Sequence, residues 1–364
     1  NLSQGRYTFM VKARNAYGDE SDIAEYSFII LRPWYLSFLA ILGYIIVTFF
    51  IIYTIIILYT RRLKKENIRL EGIIQERTAE IRKQKEELTD SIEYASRIQR
   101  ALLPPDKMLS RHGLEHFILF RPRDIVSGDF YWFGTNDGKV FVVAADCTGH
   151  GVPGAFMSML GISFLDEIVI KSGVSETNLI LDALRNHVIT SLRQTGKGME
   201  ESTKDGMDLS MVSIDEETRI VQYSGAYNPM YAVRPLNKKE KEIIAKNGEL
   251  DADRNTLYND THILYQVKAD QMPIGISEKD YNFTAHQIED KEATIYLFSD
   301  GYLDQFGGPS GKKFMSKNFK KLLLDIQHLN MEQQLKTLEK TLLEWMGNIS
   351  QIDDILVIGI NLSK

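Results

Sequence analysis

The chain has a single cysteine in 364 residues, Cys147. No disulfide can close within it and no multi-thiolate zinc site can form, so cysteine usage leaves the redox compartment open. Histidine is also scarce, with 7 scattered residues, which argues against an imidazole-rich zinc site. Excess positive charge is missing: 43 Lys and Arg stand against 49 Asp and Glu, a formal net charge of −6. That excludes a general nucleic-acid binder, which needs a basic face. There is no internal repeat and no low-complexity tract. The remaining composition is globular, 44% hydrophobic and 25% charged, and the length exceeds one ordinary domain.

Charge itself is absent from Tyr35 to Tyr59, YLSFLAILGYIIVTFFIIYTIIILY. Such a run is long enough to cross a bilayer core of roughly 30 Å as a helix. Trp34, Tyr35, Tyr53 and Tyr59 stand where interfacial aromatics are useful, and Arg61, Arg62, Lys64 and Lys65 follow at once. The positive-inside rule then predicts one transmembrane helix over 34–60, with the residues after 60 cytoplasmic and those before 34 outside. A buried core helix rarely runs this long without a polar face, and a cleaved signal peptide has a shorter apolar core.

On the outer side, residues 1–33 alternate as strands, with Tyr7, Phe9 and Val11 on one face, a turn at Asn15–Asp19 and a second run from Ala24 to Leu31. Two strands do not make a stable domain, so this segment is expected to be the end of a larger one. Its wording, from Gly5-Arg6-Tyr7 to Arg32-Pro33-Trp34, resembles the end of an Ig-like Y_Y_Y domain, which typically follows sensor β-propellers in hybrid bacterial membrane receptors.

On the inner side, residues 61–103 are charged and free of proline until Pro104. Ile74, Ile81, Leu88, Ala95 and Leu102 recur every seventh position, and Leu63, Leu70 and Ile98 occupy the companion position, which Arg77, Gln84 and Ser91 weaken. This pattern predicts a parallel coiled-coil helix with an imperfect seam, and hence a homodimer. The plainer alternative is a solvated surface helix, but a helix leaving a membrane span is well placed to be a two-stranded signalling stalk.

The remaining segment, 104–364, reads as α+β. Apolar runs predict strands over Phe117–Phe120, Val140–Ala145, Leu209–Ile214, Ile220–Ser224, Met230–Val233, Ile263–Val267, Ala293–Phe298 and Ile355–Ile360. Helices are predicted over Gly154–Lys171, Glu176–Arg193, Lys317–Gln327 and Met331–Trp345. Short polar turns such as Asp215–Thr218 imply antiparallel hairpins, giving packed sheets covered by helices. Residues 236–261 lack periodicity and read as an inserted loop or flap.

Acids recur at the ends of these runs. Asp129 lies in Ser127-Gly128-Asp129 before the aromatic strand Phe130-Tyr131-Trp132. Asp146 ends Val140–Ala145 and precedes the tight turn Gly149-His150-Gly151, with Pro153 at a helix start. Asp300 ends Ile295–Phe298, and Asp353-Asp354 open the last strand. A lone Ser-Gly-Asp or Asp-Gly is usually a turn. Several carboxylates beside a core are costly unless a hard cation gathers them, and an all-oxygen cluster suits Mg²⁺ or Mn²⁺.

Together these motifs, with Ser224-Gly225-Ala226-Tyr227-Asn228-Pro229-Met230-Tyr231, Leu297–Tyr302 and Asp353–Gly359 in order, resemble the SpoIIE-like branch of the metal-dependent serine/threonine protein phosphatases, the PPM or 2C-type family. The resemblance spans 104–364 and implies a PPM-type α-β-β-α sandwich, two mainly antiparallel sheets flanked by helices. It implies that Asp129 and Asp146, with the backbone carbonyl of Cys147, bind one ion. Asp146 would then bridge to a second ion completed by Asp300 and Asp353, and activated water would attack phosphorus without a phosphoenzyme. Asp354 is grouped with the metal set, more as a neighbour than a ligand. Asp208 matches an acid that serves either a third ion or the positioning of nearby helices. His150 is expected to be structural rather than a proton donor, Arg121 and Arg123 are candidates to meet phosphate, and Tyr227–Pro229 to shape the rim. The chain departs from the pattern at Trp132, where many relatives carry Asp, and at Leu356, where many carry Thr or Ser. Neither removes a proposed ligand.

The resulting expectation is a single-pass protein of a bacterial inner membrane, an outer sensor region controlling a cytoplasmic phosphatase. Its substrate would be a phosphorylated regulatory protein, plausibly an anti-sigma-factor antagonist. The competing readings are a catalytically silent regulator-binding module on the same fold and a phosphoester hydrolase acting on small molecules.

Overall fold

The computed structural model describes residues 2–105, 107–194, 205–247, 256–279 and 281–363. The chain divides into two compact units, Asn1–Glu86 and Glu87–Lys364.

In the first unit, β1 (Gly5–Val11) and β2 (Ala24–Ile30) pair antiparallel from Gly5 opposite Ile30 to Val11 opposite Ala24. Tyr7 stacks on Phe28 with ring centroids 5.9 Å apart. The turn is closed by Asn15, whose Oδ1 accepts the Tyr17 and Asp19 amides at 2.9 Å. Helix α1 (Phe38–Leu102) then runs unbroken across the apolar segment and the charged segment that follows. Two helices among the described residues are long and apolar enough to cross a membrane. One starts at Phe38, with mean hydropathy 2.7 and none of its apolar window buried. The other is Val152–Lys171, at 1.4 and half buried. Heptad residues Ile74, Ile81 and Leu88 are exposed on α1.

The second unit begins within α1, at Glu87. Its strands are β3 (Glu115–Arg121), β4 (Phe130–Asn136), β5 (Lys139–Cys147), β6 (Met207–Asp215), β7 (Val221–Ala226), β8 (Met230–Pro235), β9 (Thr256–Tyr258), β10 (His262–Val267), β11 (His286–Ile288), β12 (Thr294–Phe298), β13 (Phe306–Gly307), β14 (Lys312–Lys313) and β15 (Ile355–Asn361). Its further helices are α2 (Lys107–Ser110), α3 (Val152–Leu165), α4 (Thr177–Ser191), α5 (Lys238–Asn247), α6 (Gly301–Asp304), α7 (Met315–Asp325) and α8 (Met331–Met346). One sheet has the order β3-β15-β12-β8-β10-β9 and the other β11-β7-β6-β5-β4. All their ladder pairings are antiparallel.

Three apolar layers follow from this order. Val142, Ala144, Val212 and Ile214 of one sheet meet Ala232, Ile295, Leu297 and Ile358 of the other. Outside the β11-β7-β6-β5-β4 sheet, Phe141, Val143 and Met211 pack under Ile162, Leu165 and Leu184 of α3 and α4. Outside the β3-β15-β12-β8-β10-β9 sheet, Phe298 and Val357 pack under Phe319, Leu338 and Leu342 of α7 and α8. The result is the expected α-β-β-α sandwich. Covered on both faces, the central strands read as continuous apolar runs rather than alternating ones.

Local chemistry sets the joints. Asp137 and Gly138 both have positive φ, 51° and 69°, the signature of a tight two-residue hairpin loop between β4 and β5. Asp215 Oδ1 accepts the Thr218 amide at 2.7 Å and holds the β6–β7 turn. The Tyr227–Pro229 turn is not a hairpin, because β7 and β8 lie in different sheets. Helix α3 continues into a π-helical turn, Asp166–Lys171, where Asp166 accepts the Trp132 indole N–H at 2.8 Å.

One expectation fails. The stretch 236–261 is not an aperiodic flap, since it holds α5 and β9, while 248–255 lie outside the described residues. Helix α5, KKEKEIIAKN, has too few apolar residues to show a period. Local capping starts it instead: the Glu240 amide donates to Asn237 Oδ1 at 2.9 Å and the Asn237 amide to Glu240 Oε2 at 2.8 Å.

Candidate active site

Antiparallel pairing decides where the acids meet. The residue before β4, the end of β5 and the start of β6 fall at one end of their sheet, and Asp146 stands opposite Asp208 in the ladder. The end of β12 and the residues before β15 fall at one end of the other sheet, with Phe298 opposite Val357. Asp129, Asp146 and Asp208 thereby join Asp300 and Asp353 at one rim of the sandwich. Asp146 is within hydrogen-bonding reach of both Asp129 and Asp300.

The rim opens into a cleft of about 220 Å³ lined by Asp146, Asp208, Asp353, His150 and the Cys147–Gly149 turn. Asp129 is buried at its edge, 2% exposed. Burial, and next the Asp146 charge, hold the Asp129 carboxyl well above the usual carboxylate range. Burial and then the charges of Asp300, Asp353 and Asp208 push Asp146 up to about 8. Asp208 is pushed up to about 6 by burial and Asp300. Burial, followed by Asp304, raises Asp300, and burial also raises Asp353. The five carboxyls are thus assembled against their own electrostatic preference.

Among the described residues, no three His, Cys, Asp or Glu side chains already stand in a metal-ligating arrangement. The donor set nevertheless fits a hard divalent cation. It is all oxygen, it converges on a cleft, and its mutual repulsion is what a cation relieves. Cys147 adds no thiolate: its side chain lies in the core beneath α3, and burial pushes its thiol up. Its carbonyl, in contrast, reaches the loop before Asp129, 3.3 Å from where a Cβ on Gly128 would stand.

Glycines let the two loops interlock. A Cβ on Gly128 would lie 2.7 Å from the Gly149 carbonyl oxygen. Gly149 and Gly151 have φ of 86° and 66°, a region that L side chains rarely enter. The Thr148 amide donates to Gly206 O at 2.9 Å, and the Gly206 amide to Thr148 Oγ1 at 3.1 Å, tying this turn to the start of β6.

Asp354 plays a different part from its neighbour. Its Oδ1 accepts the Arg123 amide and its Oδ2 the Gly128 amide, each at 2.7 Å, so both oxygens hold loops. Asp353 faces the cleft, with Oδ1 accepting the Asp354 amide at 2.9 Å. His150 also lines the cleft, its Nδ1 3.3 Å from Asp124 Oδ2. Arg121 donates to Gln351 Oε1 at 2.8 Å and Arg123 to the Ile352 carbonyl at 3.0 Å, so each is engaged with the loop before β15. Tyr227–Pro229 is not part of the cleft lining.

Ser299 was not singled out by sequence reasoning, although it adjoins Asp300. Its Oγ donates to Asp129 Oδ2 at 2.5 Å and accepts the Leu356 amide at 3.0 Å. Ser299→Ala is expected to weaken Mn²⁺ binding about tenfold, the scale for a group orienting a metal ligand. Calorimetric titration checks this, and unchanged affinity would count against the assigned contact.

A family model described as stage II sporulation protein E (SpoIIE) matches residues 136–250 and 255–363. No curated protein matches. Among solved structures, the SiaA-PP2C domain of Pseudomonas aeruginosa is 29% identical, with 76% of this chain and 98% of that one covered and a TM-score of 0.60. The PP2C phosphatase domain of SpoIIE from Bacillus subtilis, with a fragment of its regulatory domain, is 16% identical over 68% of this chain and 62% of that one, TM-score 0.48. The RsbU and RsbW domains of a Mycobacterium tuberculosis protein are 16% identical over 68% and 60%, TM-score 0.47. The chain spans less than two thirds of these last two.

Proposed function

Because this chain belongs to the SpoIIE family and carries a PP2C-type serine/threonine phosphatase domain, we propose that it is a membrane-anchored enzyme that hydrolyses phosphoserine or phosphothreonine on a cytoplasmic regulatory protein. The observation that carries this reading is the convergence of carboxyls from both sheets on one cleft, with Asp146 reaching both Asp129 and Asp300. In this reading Asp129, Asp146, Asp300, Asp353 and the Cys147 carbonyl hold two Mn²⁺ or Mg²⁺ ions, and Asp208 is available to a third. The ions, when bound, supply a nucleophilic water and neutralise phosphoryl charge. The chain contributes the rest. Asp146 spans the two halves of the site, Ser299 orients Asp129, and Asp354 fixes the Gly128 and Arg123 backbone.

The anchor is the apolar part of α1, whose side chains from Phe38 to Tyr59 are largely exposed, followed by four basic residues within 61–65. In this reading the phosphatase lies in the cytoplasm and the β1–β2 hairpin on the outer side. Exposed Ile74, Ile81 and Leu88 at heptad spacing offer a seam to a second copy. A natural substrate is a phosphorylated anti-sigma-factor antagonist.

The test is turnover by the detergent-solubilised chain with Mn²⁺, on phosphoserine and phosphothreonine peptides and on nucleotides. Peptide hydrolysis that is lost with a chelator and restored by Mn²⁺ is expected. Preferential nucleotide hydrolysis would instead favour a small-molecule esterase, and no turnover of any substrate a silent regulator-binding module.

A further inference from the structure

Within the second unit, α1 presents only Ser96 and Gln99 as buried residues. Gln99, 4% exposed, is the better explained. Its Nε2 donates to the Ser127 carbonyl at 2.6 Å and to Ser158 Oγ at 2.8 Å, while its Oε1 accepts the Ser127 amide at 3.1 Å. Both N–H groups are used and the carbonyl is engaged. One side chain therefore takes both backbone polar groups of Ser127, as a neighbouring strand would, and simultaneously grips α3.

The position of these contacts matters more than their number. Ser127, Gly128 and Asp129 are consecutive, and each is held by a different element. Gln99 of α1 holds Ser127. Asp354, before β15, holds Gly128, and Ser299, after β12, holds Asp129. Ser158 belongs to α3, the helix that leaves the Asp146 turn. The Gln99 amide thus ties together the approach to Asp129 and the helix following Asp146, two residues that must keep register to share an ion. Of the three clamps, Gln99 alone comes from outside the sandwich strands and their ends.

We propose that Gln99 is a positioning residue of the metal site, so that the last turns of α1 belong to the catalytic unit. This rests on the metal-dependent phosphatase reading above. Without the amide, the Ser127 N–H loses its buried partner and the Ser127 C=O keeps only the long Ser158 Oγ contact at 3.5 Å, the loop loosens, and Asp129 is offered to a cation in a broader range of positions. The expected signature is weaker cation binding rather than a slower chemical step once cations saturate the site.

The experiment compares the full-length, detergent-solubilised chain with Gln99→Met, which keeps length and helix preference but removes all three hydrogen bonds. A second variant, Gln99→Glu, retains an acceptor for the Ser127 amide but sets a carboxylate oxygen against the Ser127 carbonyl. Mn²⁺ affinity is measured by calorimetry and, independently, by the electron paramagnetic resonance of free Mn²⁺. Phosphopeptide turnover is followed as a function of Mn²⁺. We expect the dissociation constant to rise about tenfold to a hundredfold in both variants, the scale for residues that orient metal ligands. Turnover at saturating Mn²⁺ should return to within about threefold of the parent, a recovery that partial unfolding does not produce. Parental Mn²⁺ affinity in either folded variant would overturn the proposal, as would a turnover deficit that excess Mn²⁺ does not repair. Absence of Mn²⁺ binding by the parent chain is a separate result, and it removes the phosphatase reading itself.

Discussion

Asp146→Asn is expected to lower phosphopeptide hydrolysis about a thousandfold, equivalent to about 4 kcal/mol of transition-state stabilisation, and to abolish measurable Mn²⁺ binding. Asp146 is the acid that reaches both Asp129 and Asp300, so its removal leaves neither half of the site whole. The same change should stabilise the metal-free protein. Asp146 titrates near 8 in the fold but near 4 in an unfolded chain. Between those values the unfolded state has released the proton and the fold has not. The wild-type fold is therefore penalised by on the order of a few kcal/mol at pH 7. The sign follows from a raised carboxyl: the penalty is absent below about pH 4, grows as pH rises, and levels off above about 8. Asparagine removes it, so the metal-free variant should melt several degrees higher at pH 7, with the gap closing toward pH 4. Saturating Mn²⁺ should stabilise the wild type alone. Scanning calorimetry with and without Mn²⁺ decides the matter, and a variant that still binds Mn²⁺ and turns over substrate would refute the central role given to Asp146.

Gly154→Ala sets local preference against tertiary geometry. In an exposed helix interior the exchange would stabilise by about 1 kcal/mol. At Gly154 of α3, however, the added methyl would overlap the Gly149 carbonyl oxygen and stand 2.8 Å from Gly128 Cα. These atoms are backbone and cannot step aside as a flexible side chain can. The Asp146–Gly149 turn and the Ser127–Asp129 loop would have to separate, carrying two acids of the site with them. Activity is expected to fall about a hundredfold or more, the scale for misplacing catalytic groups by about 1 Å. Stability should fall by about 1–3 kcal/mol, the usual cost of overpacking. A Gly154→Ala protein with wild-type activity and a raised melting temperature would show that propensity wins there and that the loops are not interlocked.

The element reading held where burial makes a long apolar run. Val140–Ala145 and Ile355–Ile360 lie within β5 and β15. Helix α8 follows its apolar stripe from Met331 and is closed by an Asn330–Gln333 capping box. Helix α5 escaped because its residues are nearly all polar and its start depends on a local capping pair. The separation of β7 from β8 into two sheets escaped because a short turn between strands gives no sign of which neighbour each will choose. Asp353 and Asp354 are identical and adjacent in sequence. Only their surroundings distinguish a carboxyl facing the cleft from one whose two oxygens both accept backbone amides.

By itself, the amino-acid sequence named the acids of the candidate site and pointed to the family. The ordered motifs from Ser127-Gly128-Asp129 to Asp353-Asp354 identify the acids, and strand-end placement follows from where each apolar run stops. Tertiary structure decided which of them touch and what holds them. Antiparallel pairing brings strand ends 146 and 300 together across two sheets, and the contacts of Ser299 and Gln99 link residues far apart in the chain. The physical reason is range. Hydrophobic periodicity and turn preference act over a few residues and can be read locally, whereas the orientation of a buried carboxyl depends on hydrogen-bond partners that only the packed sheets and helices bring within about 3 Å.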